Sequence, residues 1–252
     1  MLHSDMTLNQ RLAFLETLEL PDLPEYLAGK TPALVTETPK KAGIDAGQVI
    51  AFSEDVSKSE HADILNSCLL AQLAASKKFD REKNPVEWYQ FYSDVLFNCG
   101  WVLDSFQFRK YQTSSASFGI DTFMLNLLQG LATDSMLSMV TAAINFLKSL
   151  SSTDPRSLLF DHNSHSGKEG NFQLGACFHN GGVLTMSLGC SYFSASQAAD
   201  SFFFLHFESA DSEIYFSKQN IMLDLDVYAK VRKAVVEKLG DRAERFIEDL
   251  DI

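Results

Sequence analysis

Apolar residues recur every three or four positions through much of the first 150 residues, which is the spacing of amphipathic helices. Helix-start signals precede several of these stretches: Thr7, the Ser57–Glu60 capping box, and Pro85 after Asn84. The pattern predicts helices over five ranges: 7–19, about 60–76, 85–99, 121–130 and 134–150.

The last two predicted helices lie in the least charged part of the chain. Residues 111–147 contain no basic side chain and only two acidic ones, Asp121 and Asp134, which the pattern places at helix N-caps. Such an apolar pair predicts a buried helical hairpin. The alternative is a hairpin over 118–150 that inserts into a membrane.

After Asp154 the apolar residues alternate with polar ones, as they do in strands. Asn180–Gly181 predicts a hairpin turn, and a last helix is predicted over 226–249 with a break at Gly240. The predicted strands cover 48–52, 102–111, 156–161, 171–178, 183–193, 202–208 and 213–223. The expected fold class is α+β, an antiparallel β-sheet of about 5–7 strands covered on one face by about 5–6 α-helices, including the apolar helical hairpin.

The composition changes between Tyr26 and Gly47, where Pro, Thr, Gly and Lys predominate. Such a segment predicts an extended connector on the surface. The expected organisation is therefore an N-terminal helix and connector over residues 1–47, followed by a single α+β domain over 48–252.

Composition and charge limit the class of protein. The chain has 252 residues, 46% of them hydrophobic, so we expect a folded core. A net charge of −12 argues against nucleic acid as a partner and disfavours anionic membranes. Neither a secretory signal nor a transmembrane segment is predicted, so the expected location is the cytoplasm, and leaderless export is the alternative.

The four cysteines show no zinc or redox spacing, so we expect reduced thiols, no metal and no cofactor. Cys177 and Cys190 lie in predicted strands, where a structural thiol is the ordinary interpretation. His179 lies on the same strand face as Cys177 by the period of two, which would allow it to lower the pKa of that thiol. A hydrolase or acyltransferase that uses one of these cysteines with a histidine is therefore an alternative.

A polar stretch over 161–170 is the other candidate cluster. Asp161, His162 and His165, together with His179, have the side chains for a metal site or an acid–base pair. Their spacing places them on no common face, and an exposed turn has the same composition. The prediction for this stretch is a loop.

Three blocks carry a resemblance to a known family: WYQFYSDVLFNCGWVLDSFQF over 88–108, the apolar helical pair, and the β part from GNFQLGACF through MSLGCSYFS to KLGDRAERFIEDLDI. Over residues 60–252 they resemble chains grouped with the bacterial virulence factor Evf. The resemblance implies an α/β fold without a recognisable enzymatic site, a role in colonisation or toxicity towards a host, and a cysteine acylated by a fatty acid such as palmitate. Cys177 and then Cys190 are the candidates, because both lie in the apolar β part.

We therefore expect a non-enzymatic, acidic, virulence-type or interaction protein that acts through lipid, acyl or protein contacts. A lipid, a fatty acid or a host protein is the expected partner. A bound acyl chain would gain about 0.8 kcal/mol for each buried methylene, which favours an internal tunnel over attachment of this acidic chain to a membrane. The two alternatives are the Cys/His-dependent enzyme and a pore-forming protein that uses the 118–150 hairpin.

Overall fold

A mixed β-sheet of nine strands forms the middle layer of the molecule. The computed structural model describes residues 6–28, 41–250 and 252. The sheet order is β11-β1-β2-β7-β8-β10-β3, with β4 paired to β10 and β6 to β7. The bounds are β1 (Ala42–Asp45), β2 (Gln48–Phe52), β3 (Trp101–Val102), β4 (Arg109–Lys110), β6 (His165–Ser166), β7 (Glu169–Asn180), β8 (Val183–Ser194), β10 (Glu213–Leu223) and β11 (Ile247–Leu250). Two further strands, β5 (Ser117–Gly119) and β9 (His206–Glu208), pair separately.

Three long strands, β7, β8 and β10, form an antiparallel meander at the centre. Asn180 pairs with Val183, so β7 and β8 are joined by the two residues Gly181 and Gly182. Their φ angles of 58° and 83° are those of the left-handed turn that matches the twist of a hairpin. The hairpin predicted at Asn180–Gly181 is confirmed.

Helices cover both faces of the sheet. On one face α1, α3, α4 and α8 pack together, and on the other α5, α6 and α7 contact the sheet or one another. The helices are α1 (Leu8–Thr17), α2 (Glu25–Ala28), α3 (Lys58–Lys78), α4 (Pro85–Cys99), α5 (Ile120–Leu127), α6 (Asp134–Ser149), α7 (Pro155–Ser164), α8 (Leu225–Leu239) and α9 (Arg242–Phe246). Within the described residues, none is both long and apolar enough to cross a membrane.

The register shows that the two helical layers lie on opposite faces. Gln173 of β7 bonds to Tyr89 of α4. The next residue, Leu174, pairs with Gly189, where an added Cβ would lie 2.6 Å from Cγ of Leu127 in α5. Successive strand residues point to opposite faces, so α4 and α5 enclose the sheet between them.

The predicted α+β class is confirmed, and its details are corrected. The sheet is mixed, because β2 and β7 pair in parallel, and over the described ranges it has nine strands with helices on both faces. Parallel neighbours need a long crossover, and here residues 53–168 form it. An alternation pattern predicts that a strand exists but does not predict the direction of its partner.

Helices with a local start signal are confirmed. Thr7 and Ser57 each form a full capping box before α1 and α3. Pro85 occupies the first turn of α4, and Gly100 ends that helix with a φ of 105°. The apolar pair exists as α5 and α6, but its N-caps are Gly119 and Thr133 rather than the predicted Asp121 and Asp134, which lie in the first turns.

Two strand predictions are wrong. Residues 156–161, predicted as a strand, lie in α7, which Asp154 caps. The predicted loop over 161–170 is consequently the end of α7 followed by the tight β6–β7 hairpin.

The predicted strand over 102–111 pairs with β10 only near its two ends, as β3 and β4.

Three further boundaries differ from prediction. Residues 202–208 form a 3₁₀ turn followed by β9 rather than one strand. The end of the last predicted helix, from Ile247, is the edge strand β11. Residues 42–45 of the predicted surface connector form the buried strand β1, whereas 29–40 lie outside the described residues.

Candidate functional site

All four cysteines are buried free thiols. Cys177 and Cys190 lie on the sheet face that α3 and α4 cover, since Cys190 is the partner in register of Gln173. Burial raises the pKa of both thiols. A nucleophilic cysteine needs an accessible thiolate, so neither position has the environment of an activated nucleophile.

His179 shares this face with Cys177, but its ring has a different partner. Nε2 of His179 lies 3.2 Å from Oε1 of Glu60 in the first turn of α3. Glu60 also accepts the backbone N–H of Ser57 as part of the capping box. His179 is thus bound at the start of a helix, and burial alone accounts for the raised pKa of Cys177.

The residues of the polar stretch have local structural partners on the other face of the sheet. Oδ1 of Asp161 accepts the backbone N–H of Phe202 at 2.9 Å and the hydroxyl of Ser201 at 3.3 Å, and so caps the 3₁₀ turn. The His162 ring stacks on Tyr26, with 4.3 Å between the centroids. The His165 ring nitrogens lie 3.2 and 3.3 Å from the carbonyl oxygens of Asp161 and Ala199.

The structure therefore brings Asp161, His162 and His165 near one another and separates them from His179 by the sheet. No group of three or more His, Cys, Asp or Glu side chains suited to a metal occurs in the described ranges. The candidate aspartate and histidine side chains instead cap a turn, stack on a ring, or contact carbonyl or carboxylate oxygens.

A large cleft lies elsewhere, between the exposed side of α4 and the segment 103–108. We call it the α4 cleft. Its volume is about 960 Å³, at the upper end of the range of about 300–1,000 Å³ for small-molecule sites. Its apolar lining residues are Met6, Leu8, Val86, Phe97, Val102, Leu103, Phe106, Phe108 and Val227, and its charged ones are Arg11, Asp94, Asp104, Asp224 and Lys230.

One wall of the α4 cleft exists because the chain leaves the sheet between β3 and β4. Phe106 and Phe108 turn back onto Tyr89 of α4, with centroid distances of 5.6 and 4.9 Å. The side chain of Gln219 in β10 bonds to both the N–H and the C=O of Asp104, at 2.9 and 3.0 Å. The segment is thereby tethered at a distance from the sheet rather than paired with it.

Two charged side chains that line the cleft form hydrogen bonds with backbone groups. The Arg11 guanidinium donates to the carbonyl of Phe97 and lies 4.5 Å from the centre of the Phe97 ring. Burial lowers the pKa of Arg11, and Asp224 opposes this shift. Asp224 itself caps α8 by accepting two backbone N–H groups. The cleft thus combines apolar walls with fixed charges of both signs.

Four large apolar side chains of the lining are exposed: Met6, Leu8, Val86 and Val102, at 37, 38, 42 and 52%. Single exposed apolar residues need no explanation, but a cluster in a concave surface is typical of a binding site. This site was not among the sites predicted from the sequence. Its lining comes from four separate segments, and the available signal was an apolar residue on an otherwise polar helix face, such as Val86.

No family model matches the chain, and no curated protein matches it. Among solved structures, a delta-endotoxin is similar with a TM-score of 0.43 and 11% identity, over 83% of this chain and 96% of that chain. The Evf virulence factor is similar with a TM-score of 0.33 and 9% identity, over 97% of this chain and 91% of that chain. This virulence factor belongs to the group that residues 60–252 resemble in sequence. With TM-scores below 0.5, neither likeness assigns a function.

Proposed function

We propose that this protein is a non-enzymatic, virulence-type or interaction factor that binds the acyl chain of a fatty acid or lipid in the α4 cleft. The observation that carries the proposal is the cluster of Met6, Leu8, Val86 and Val102 around one concave surface. The virulence-type role rests on the sequence resemblance alone.

The chemistry of the lining favours an amphipathic occupant. An acyl chain gains about 0.8 kcal/mol for each methylene that it buries against apolar walls, and it needs no polar partner there. The cleft opens to solvent beside Lys230 and Asp104, so a polar head remains hydrated among charged groups. A wholly apolar ligand would leave those charges facing hydrocarbon.

Glutamate substitutions at the exposed valines test this binding. Val86→Glu and Val102→Glu place a carboxylate in the wall and should weaken palmitate binding at least tenfold, which corresponds to about 1.4 kcal/mol. Equilibrium dialysis with radiolabelled palmitate measures the change. Val236→Glu on α8 and Val183→Glu on β8 are matched controls, since both valines are similarly exposed, at 47 and 44%, and lie outside the cleft.

The controls should bind palmitate as the unsubstituted chain does. Equal affinities of all five proteins, or no binding by the unsubstituted chain, would refute the proposal.

Covalent acylation of Cys177 or Cys190 stays a prediction. Tyr89 neighbours both Cys190 and the cleft residue Phe108, so Cys190 is the better placed of the two for a chain that extends into the α4 cleft. If the protein is acylated, its intact mass will exceed the sequence mass by one fatty acyl group and lose that excess in hydroxylamine. An unmodified mass would restrict the proposal to non-covalent binding.

A further inference from the structure

A row of polar side chains crosses the sheet beneath α3 and α4. Asp45 of β1 pairs in register with Gln48 of β2, which in turn pairs with Gln173 of β7. All three residues have no exposed surface. Residues paired in register share a face, and Gln173 bonds to Tyr89 of α4, so the row points into the interface between the sheet and that helix.

The row presents oxygen atoms rather than hydrogen-bond donors. Nε2 of Gln173 donates to the Tyr89 hydroxyl at 2.8 Å, and Nε2 of Gln48 contacts Sδ of Met186 at 3.9 Å. Both glutamine oxygens and both carboxylate oxygens of Asp45 have no hydrogen-bond partner among the described residues. Buried oxygens rarely remain in that state.

Tyr92 adds a fifth oxygen from α4. It is completely buried and interacts with Asp45 and with the Cys68 thiol. Its hydroxyl has no oxygen or nitrogen partner among the described residues. Gln72, by contrast, is engaged with the backbone: its amide bonds to the N–H of Gly47 and the C=O of Asp45. Gln72 thus holds the β1–β2 turn and positions Asp45.

Charge balance limits what this row can hold. Asp45 is its one acidic group, and it is completely buried with neither carboxylate oxygen hydrogen-bonded among the described residues. A buried carboxylate must be neutralised by a proton or by a bound positive charge. A monovalent cation leaves the site neutral, whereas a divalent one leaves a net positive charge in the core.

The four side chains are neighbours. Asp45, Gln48 and Gln173 lie side by side on three adjacent strands, and Tyr92 interacts with Asp45 from the helical layer. We propose that Asp45, Gln48, Gln173 and Tyr92 form a buried site for one alkali-metal cation, K⁺ or Na⁺. On binding, the ion replaces the carboxyl proton of Asp45, which leaves to solvent.

The expected consequence is stabilisation by the ion, because the site assembles only when β1, β2, β7 and α4 are packed together. Thermal unfolding of the full chain at pH 8 is measured at constant ionic strength in choline chloride, NaCl and KCl. Replacing choline with 100 mM of the bound ion should raise Tm on the order of 5 °C if the concentration reaches about 100 times the dissociation constant.

Two variants distinguish this site from general effects of salt. Asp45→Asn should unfold at the same temperature in all three salts. Asp63→Asn is the matched control: Asp63 of α3 is also a buried carboxylate, but Arg232 bonds to it at 2.6 and 2.8 Å. That variant should lose stability and keep the cation response. Equal Tm values of the unsubstituted chain in the three salts, or a cation response retained by Asp45→Asn, would overturn the proposal.

Discussion

Tyr89 and Tyr92 are both completely buried on α4, yet their hydroxyls differ in environment. The Tyr89 hydroxyl lies 3.1 and 2.9 Å from the carbonyl oxygens of Phe172 and Ser191 and accepts the amide of Gln173. The Tyr92 hydroxyl faces the Cys68 thiol and has no oxygen or nitrogen partner in the described part of the chain. The same residue type on the same helix therefore provides an internal comparison.

Tyr89→Phe should lower the free energy of unfolding by about 1–3 kcal/mol, because it leaves the amide of Gln173 unpaired in the core. Tyr92→Phe, measured in alkali-free buffer, should change it by less than about 0.5 kcal/mol. Urea denaturation of both variants checks the difference. Equal losses would show that ring packing rather than the hydroxyl determines the effect.

For single residues, the sequence predicted which side chains are buried but not which groups they form hydrogen bonds with. The predicted apolar stripe of α4, from Trp88 to Cys99, is buried. The hydrogen-bond partners of the Tyr89 hydroxyl lie on β7 and β8, 83–102 residues further along the chain. A helical period identifies the inward face but carries no information about what that face meets.

At the scale of elements, the end of α4 depends on Gly100. Its φ of 105° is one that other residues rarely adopt, and an added Cβ would lie 3.1 Å from Val227 and 3.2 Å from the N–H nitrogen of Tyr228. Gly130 also has a positive φ, of 73°, but no atom of the described residues lies within 4 Å of its Cβ position. Both positions therefore carry the strain of a left-handed backbone, but of the two only Gly100 is also crowded by neighbouring atoms.

Gly100→Ala should reduce stability by about 2 kcal/mol or more, since it adds crowding by α8 to the cost of the left-handed conformation. Gly130→Ala should cost only about 1–2 kcal/mol, from the conformation alone. Thermal and urea unfolding measure both. If Gly130→Ala were the more damaging change, the packing of α8 against the end of α4 would not be what requires Gly100.

Elements with capping or turn residues of their own were predictable, and α7 shows the limit. Asp154 and Pro155 are a helix-start signal, and the structure uses both. The continuous apolar run Leu158–Phe160 nevertheless favoured a strand, because a short buried helix and a short buried strand share that pattern. In the structure this segment is helical and packs against β7.

At the scale of the whole molecule, the net charge of −12 opposes attachment to anionic surfaces. In flotation assays at low salt, less protein should associate with phosphatidylglycerol vesicles than with phosphatidylcholine vesicles, and 150 mM salt should reduce the difference. Preferential association with the anionic vesicles would reveal a local basic surface that outweighs the net charge.

The class of fold, most helix starts, the long central strands and the acidic character could be predicted, because each depends on residues adjacent in the chain. The parallel pairing of β2 with β7, the covering of both sheet faces, the α4 cleft and the polar row could not. Each of these joins segments far apart in the chain, and their meeting depends on how the apolar faces pack. The candidate histidines were visible in the sequence, but only packing showed that His179 is separated from Asp161 by the sheet.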